Sequence, residues 1–118
     1  MLAAADVEGP AAFGLRAWAA GGDDPAARAQ LRSAAAAWPL EGVHQRPDPP
    51  VFDRLPELAG LPARVLIGDL DLPPTVDCAE RTAERLGCEL LRVPGADHLL
   101  PLRAPARLVA AVLAAAGR

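Results

Sequence analysis

The second half of the chain alternates two apolar runs with two helical patterns. The run Val-Leu-Ile predicts a strand over Arg64–Ile67, and its unbroken apolar character is typical of a parallel strand covered on both faces. A helix is predicted from about Thr75 to Leu86, with Gly87 where such a helix commonly ends. A second strand over Glu89–Val93 and a last helix from about Pro105 to Ala116 follow. This order predicts a right-handed parallel βαβ unit with one covering helix.

The helix predicted between the two strands is amphipathic. Asp77 and Arg81 lie on its polar face four residues apart, a spacing that favours an ion pair. We expect the helix to pack on the sheet through its apolar face, which comprises Val76, Ala79, Ala83 and Leu86.

The first half of the chain predicts two further helices. The first runs from about Pro10 to Ala20, and the second begins at Asp24 and Pro25. Asp24 can accept hydrogen bonds from free backbone N–H groups, and proline suits a first turn because its missing N–H costs nothing there. The apolar residues at helical spacing are Phe13, Ala17 and Ala20 on one face of the first helix, and Ala27, Leu31, Ala34 and Trp38 in the second.

Proline divides the chain into two regions. Pro39 is expected to end the second helix, and the proline-rich stretch 39–50 predicts a linker. Residues 1–50 are therefore expected to form a helical segment with its linker, and residues 51–118 the α/β unit.

Two strands leave both outer edges of a sheet without partners, and the first half offers only helices and loops to cover them. We therefore expect a protein partner to cover the exposed sheet edge.

Composition narrows the classes of function. The 118 residues are 52% hydrophobic, but much of this is alanine, which contributes little burial. The net charge is −3, all twelve basic residues are Arg, and they are scattered among acids, so a nucleic-acid-binding face is not expected. Cys78 and Cys88 have neither disulfide-scaffold nor metal-site spacing, and no metal or cofactor is expected. With no secretory signal and no run long enough to span a bilayer, we expect a cytoplasmic protein that does not bind membranes.

Two residues that can carry chemistry follow the two predicted strands. Asp71 lies in the turn after the first strand and His98 in the loop after the second. Because functional side chains of open α/β sheets lie at the carboxyl ends of strands, we expect these two loops to be neighbours. A carboxylate beside an imidazole fixes its tautomer and makes it a better general base. Asp69 is the alternative acid, although a solvated turn residue is the simpler interpretation.

The segments Leu61–Pro73 and Val93–Leu102 resemble the C-terminal half of the α/β-hydrolase family. The first is similar to the family's penultimate strand, whose turn carries the acid of a catalytic triad three residues after a glycine. The second is similar to the loop after the last strand, where the triad histidine follows a glycine-containing turn. The resemblance implies the acid role for Asp71 and the general-base role for His98. It also implies a partial α/β-hydrolase fold: two parallel strands and a C-terminal helix, preceded by a helical cap-like segment.

The chain departs from the family in lacking a nucleophile on a Gly-x-Ser-x-Gly elbow. Ser33, its only serine, lies in a predicted helix without flanking glycines. The resemblance therefore implies a truncated serine hydrolase. It would act on a small ester-like or related substrate when an N-terminal half supplies the nucleophile, and it would be inactive alone. The alternative is a non-catalytic remnant or a small protein-interaction module.

The remaining candidates have simpler interpretations. Asp69-Leu70-Asp71 faintly resembles the Asp-x-Asp motif of Mg²⁺-dependent dehalogenase-type phosphatases, but Pro73 and the absence of lysine argue against it. Asp97 beside His98 could tune the imidazole, although facing water is the simpler interpretation. His44 is expected to be a surface residue of the linker. Trp18 and Trp38 are expected to serve packing or to belong to the cap.

Overall fold

The computed structural model of the protein describes residues 6–41, 47 and 49–117, without the side chains of 38–41. Within these residues the chain is mixed α/β, with six helices and one sheet of two parallel strands, which confirms the predicted class. In chain order the elements are α1 Glu8–Trp18, α2 Pro25–Glu41, a 3₁₀ helix Phe52–Leu58, β1 Arg64–Gly68, α3 Pro73–Leu86, β2 Glu89–Val93, α4 Leu100–Arg103 and α5 Pro105–Ala115.

The sheet pairs β1 with β2 over their whole lengths. Arg64 lies opposite Glu89 at one end and Gly68 opposite Val93 at the other, so both strands finish at the same edge of the sheet. Helix α3 connects the strands and packs on both of them, while α5 contacts β1. The strand–helix–strand order predicted from the sequence is therefore present, and it brings the two following loops side by side.

Helix α3 follows the prediction closely. The residues of its predicted apolar face are buried or half-buried. On the polar face, Arg81 Nε and Asp77 Oδ2 form an ion pair at 3.2 Å. Gly87 ends the helix in the left-handed conformation, with φ 64°. The N–H groups of Gly87 and Cys88 donate to Glu84 and Ala83, which satisfies carbonyls of the last turn. The helix begins two residues earlier than predicted, at Pro73.

Helices α1 and α2 form a hairpin, and the predicted face of α1 is wrong. Phe13 is 56% exposed, while Ala11 and Gly14 are buried against α2. A Cβ atom at Gly14 would lie 3.0 Å from a methyl carbon of Leu31, so a side chain there would require Leu31 to shift by a few tenths of an ångström. Close helix packing therefore selects the small residues of α1 and turns its phenylalanine outwards.

The start of α2 is as predicted, and its end is not. Asp24 Oδ1 accepts hydrogen bonds at 2.9 Å from the N–H groups of Ala26 and Ala27. The helix continues through Pro39 and ends at Glu41. A proline so close to a helix end removes one backbone hydrogen bond of the last turns, which is less disruptive than a break in the middle. Of the predicted linker, residues 42–46 and 48 lie outside the described part of the chain.

The hairpin and the α/β unit share a small apolar core. Leu99, which follows β2, is buried with Ala27 and Leu31 of α2, and Leu15 and Trp18 of α1 pack against this cluster. The hairpin is therefore seated on the loop that follows β2. No helix among the described residues has both the length and the apolar character needed to cross a bilayer.

Candidate functional site

The loops that follow β1 and β2 are joined by hydrogen bonds. The N–H of Leu70 donates to the carbonyl of Ala96 at 2.9 Å, and the N–H of Gly95 donates to Asp69 Oδ1 at 2.7 Å. Gly95 has φ 71°, a left-handed conformation that suits glycine. Asp69 is exposed, as expected for a turn residue, but its carboxylate also ties the second loop to the first.

Gly68 is the point of closest approach between these loops. A Cβ atom there would lie 2.2 Å from the carbonyl oxygen of Ala96 and 2.8 Å from that of Asp97. Both are backbone atoms, so no side-chain movement could relieve the overlap. Only glycine at the last position of β1 therefore allows the loop bearing His98 to pass so close to this strand.

Asp71 and His98 lie within hydrogen-bonding distance. The imidazole Nδ1 is 3.0 Å from Asp71 Oδ2 and 3.2 Å from Oδ1. The Asp71 side chain is 4% exposed and also accepts the N–H of Leu72 at 2.7 Å, whereas the His98 side chain is 43% exposed. Because an ionised carboxylate can only accept, Nδ1 is the donor in this pair, and in the neutral imidazole this arrangement leaves the lone pair on Nε2. The catalytic role of the pair stays a prediction.

Trp18 of α1 covers one side of the imidazole. The two rings are stacked, with centroids 5.6 Å apart and planes inclined by 28°. The indole also meets the ring of Phe13 edge to face, at a centroid distance of 6.2 Å. Trp18 is half-buried and belongs to the junction core, so it serves packing as predicted while also forming a wall beside His98.

The prediction that Asp97 faces water is wrong. The residue is 1% exposed, and its carboxylate accepts three hydrogen bonds: from the N–H of Leu99 at 2.9 Å, the N–H of Gly21 at 2.8 Å and Arg103 Nε at 3.0 Å. Burial by itself would raise the pKa of Asp97, but the bonds from Arg103, Gly21 and Leu99 outweigh it and hold the pKa below its usual value. The carboxylate is therefore a buried, ionised acceptor.

Arg103 connects Asp97 with the hairpin. Besides Asp97, its guanidinium donates to the carboxylate of Asp24 and to the carbonyl of Gly22, both in the turn between α1 and α2. The bonds from the N–H of Ala27 and from Arg103 lower the pKa of Asp24. No sequence signal identified this network, because more than seventy residues of chain separate Gly21, Gly22 and Asp24 from Asp97 and Arg103.

A groove of about 300 Å³ opens beside the Asp71–His98 pair. It lies against β1 and is also lined by Thr75 and Cys78 of α3, neither of which the sequence linked to Asp71 and His98. The hydroxyl of Ser33 is not among its walls: the residue is exposed on α2. The groove is lined by Val65, Leu66, Ile67, Gly68, Asp71, Thr75, Cys78, Ala79, Thr82, Asp97, His98 and Leu100.

The remaining candidates are the two cysteines, His44 and Trp38. Among the described residues, no three His, Cys, Asp or Glu side chains are grouped so that they could hold a metal ion. Cys78 and Cys88 are both free thiols. His44 and the side chain of Trp38 lie outside the described residues.

Comparisons of the chain with models of known protein families, with curated proteins and with solved structures found no match. The function of the site has to follow from its own geometry.

Proposed function

We propose that this chain is the C-terminal part of a cytoplasmic serine hydrolase of the α/β-hydrolase type. In this proposal, residues 51–118 belong to the hydrolase core and the α1–α2 hairpin to a cap. The substrate is a small ester-like molecule or a related acyl compound. Asp71 is the acid and His98 the general base, and a second polypeptide segment supplies the nucleophilic serine.

One observation carries the proposal, the hydrogen bond between His98 Nδ1 and Asp71 Oδ2 at 3.0 Å. The two side chains come from loops at the carboxyl ends of adjacent parallel strands, where the functional groups of open α/β sheets lie. The acid is almost fully buried and the histidine is partly open to solvent. This difference in exposure suits an acid that orients the imidazole and a base that must reach a substrate.

The arrangement supports a conventional acyl transfer. The lone pair on His98 Nε2 accepts the proton of the attacking serine hydroxyl as its oxygen forms the new bond to the acyl carbon, and the imidazolium then returns that proton to the leaving group. Asp71 keeps the ring in the required tautomer and stabilises its charged form. In the second half of the cycle the same nitrogen accepts a proton from water as the water oxygen attacks the acyl carbon. The bond from that carbon to the serine oxygen then breaks, the imidazolium returns the proton to the serine oxygen, and the carboxylic acid product leaves.

The proposal predicts that the chain alone has no esterase activity and gains it with a nucleophile-bearing half. The assay would use a chromogenic aryl ester, with the chain alone and mixed with an N-terminal α/β-hydrolase segment that carries the Gly-x-Ser-x-Gly elbow. We expect His98→Ala or Asp71→Asn to reduce kcat in the mixture by roughly 10³–10⁴-fold. Arg28→Ala, which removes an exposed ion pair with Asp23, serves as the control. Turnover in the mixture that survives His98→Ala would contradict the proposal.

A protein-interaction module is the second candidate, and the exposed apolar surface favours it. Each strand of the described sheet has one edge without a partner strand. Helix α5 also exposes three large apolar side chains, Val109, Val112 and Leu113. Unpaired strand edges and exposed apolar patches are commonly covered by another protein. If this candidate is correct, Val109→Glu with Val112→Glu abolishes partner capture while Asp71→Asn has no effect. Esterase activity of the mixture that Asp71→Asn abolishes and the two valine substitutions leave unchanged favours the hydrolase.

A further inference from the structure

We infer that Asp97, Arg103 and Asp24 form a clamp that positions His98 by fastening the α1–α2 hairpin to its loop. The inference deepens the proposed function, because it assigns the support of the proposed general base. The role of the clamp in catalysis rests on the proposed function, whereas its effect on the orientation of His98 does not depend on any reaction. None of the three touches a reacting atom in this scheme, so they are positioning residues.

Asp97 is the centre of the clamp. It directly precedes His98, and its carboxylate takes donors from two directions: Leu99 within its own loop, and Gly21 and Arg103 from outside. An almost fully buried carboxylate is costly unless it is paired and hydrogen-bonded, and these three donors meet that requirement. The backbone on both sides of His98 is therefore fixed by a group that does not touch the imidazole.

Arg103 carries the connection to the hairpin. Its side chain is 13% exposed, and it divides its donors among the carboxylates of Asp97 and Asp24 and the carbonyl of Gly22. The planar guanidinium suits this task because its five N–H groups have fixed directions, whereas a lysine ammonium would act as a point charge. One side chain thus links the start of α2 to the end of the His98 loop.

Gly21 allows the two parts to come close enough for these bonds. A Cβ atom there would lie 2.9 Å from Asp97 Oδ2, 3.2 Å from the carbonyl oxygen of Gly95 and 3.4 Å from Arg103 Nε. Gly21 therefore lies close to Asp97 and Arg103, two of the three clamp residues. A larger side chain at position 21 would move the hairpin away from the loop.

The clamp also separates the tasks of the two aspartates near His98. The charge of Asp97 is taken up by Arg103 and by backbone N–H groups, while Asp71 directs its carboxylate to the imidazole Nδ1. On the other side, the seated hairpin holds Trp18 stacked on the ring. The orientation of His98 therefore depends on Asp71 directly and on the clamp through the loop and through Trp18.

The test is the ring-current shift that Trp18 imposes on the imidazole protons of His98, measured by NMR at fixed pH. Trp18→Leu sets the value without stacking. Asp24→Asn removes the charge that Arg103 binds but keeps a good helix cap, and Asp97→Asn removes the central carboxylate. Arg28→Ala, in the neighbouring exposed pair with Asp23, is the matched control.

We expect both clamp variants to lose at least half of the ring-current shift, with Arg28→Ala at the wild-type value. Folded variants that keep the wild-type shift would overturn the inference, as would a wild-type protein whose shift equals that of Trp18→Leu. If Asp97→Asn does not fold, Asp24→Asn decides alone. The measurement needs neither substrate nor nucleophile, so its result does not depend on whether esterase activity is found. An unchanged ring-current shift in the clamp variants would contradict the clamp but not the Asp71–His98 hydrogen bond.

Discussion

At the scale of single residues, three aspartates on two neighbouring loops have different roles because different donors reach them. Asp69 accepts a backbone N–H, Asp71 meets the imidazole, and Asp97 is buried among Arg103 and two backbone groups. The strand-end positions of Asp71 and His98 could be predicted from local sequence, because apolar runs mark where strands end. The burial of Asp97 could not, since its outside donors come from Gly21 and Arg103.

Asp97 should make the stability of the protein sensitive to acid. Because its folded-state pKa lies below the usual value of 3.8, the carboxylate stabilises the fold above that pH, and the contribution is lost as the pH falls through the folded pKa. Asp97→Asn should therefore lower the free energy of unfolding at neutral pH by about 3 kcal/mol. The difference from wild type should narrow below about pH 4.

Urea unfolding of both proteins between about pH 3 and pH 7 tests this, because other titrating carboxylates cancel in the difference. A difference that is independent of pH would show that Asp97 is not an ionised acceptor in the folded protein.

Gly68→Ala should displace the His98 loop. The added methyl group would overlap the backbone of Ala96 and Asp97, and overpacking of this kind costs about 1–3 kcal/mol. We expect a lower free energy of unfolding together with changed chemical shifts for the His98 ring. Wild-type stability together with unchanged His98 chemical shifts in Gly68→Ala would contradict the close contact between Gly68 and the His98 loop.

At the scale of elements, amphipathic periodicity identified the inner face of α3 and the buried residues Ala27 and Leu31 of α2, but not the buried residues of α1. The inner face of α3 could be predicted because large and small apolar side chains both face the strands. In α1 the close approach to α2 requires Ala11 and Gly14 inside, and Phe13 is left outside. The short helix α4 was not predicted, since four residues are too few to show a period.

The end of α3 should depend on Gly87. An alanine there would have to adopt φ near 64°, which costs an L-residue with a side chain about 1 kcal/mol or more. We expect Gly87→Ala to lower the free energy of unfolding by that amount in urea denaturation. Glu84→Ala, on the exposed face of the same helix, should change it by less than about 0.5 kcal/mol. Equal effects of the two substitutions would contradict the left-handed cap.

At the scale of the whole molecule, the described chain is elongated. It extends over 52 × 33 × 28 Å with a radius of gyration of 16.6 Å, whereas a compact chain of this length has about 13–14 Å. The hairpin meets the α/β unit through Leu99 and the clamp rather than through a broad core. The cohesion of the two parts should therefore depend on few residues.

Arg103→Ala should uncouple the hairpin from the α/β unit. Removing the guanidinium leaves the buried Asp97 carboxylate without its charged partner, which costs about 3 kcal/mol or more. We expect tryptophan fluorescence, which reports on the hairpin, to change at a lower urea concentration than the far-ultraviolet circular dichroism. In the wild-type protein the two transitions should coincide.

Arg28→Ala is the matched control, because it removes an exposed ion pair at the same turn, and such pairs contribute little to the free energy of unfolding. Coincident transitions in a folded Arg103→Ala variant would show that the two parts are held together in another way.

The sequence by itself determined the parallel strands, the crossover helix and the two strand-end loops with Asp71 and His98, because each depends on neighbours within a few residues. Only the tertiary structure decided the inner face of α1, the burial of Asp97 and the contact of Trp18 with His98. These depend on how closely separate segments approach, at Gly14, Gly21 and Gly68, and on hydrogen bonds between distant parts of the chain. Local periodicity carries no information about such distances.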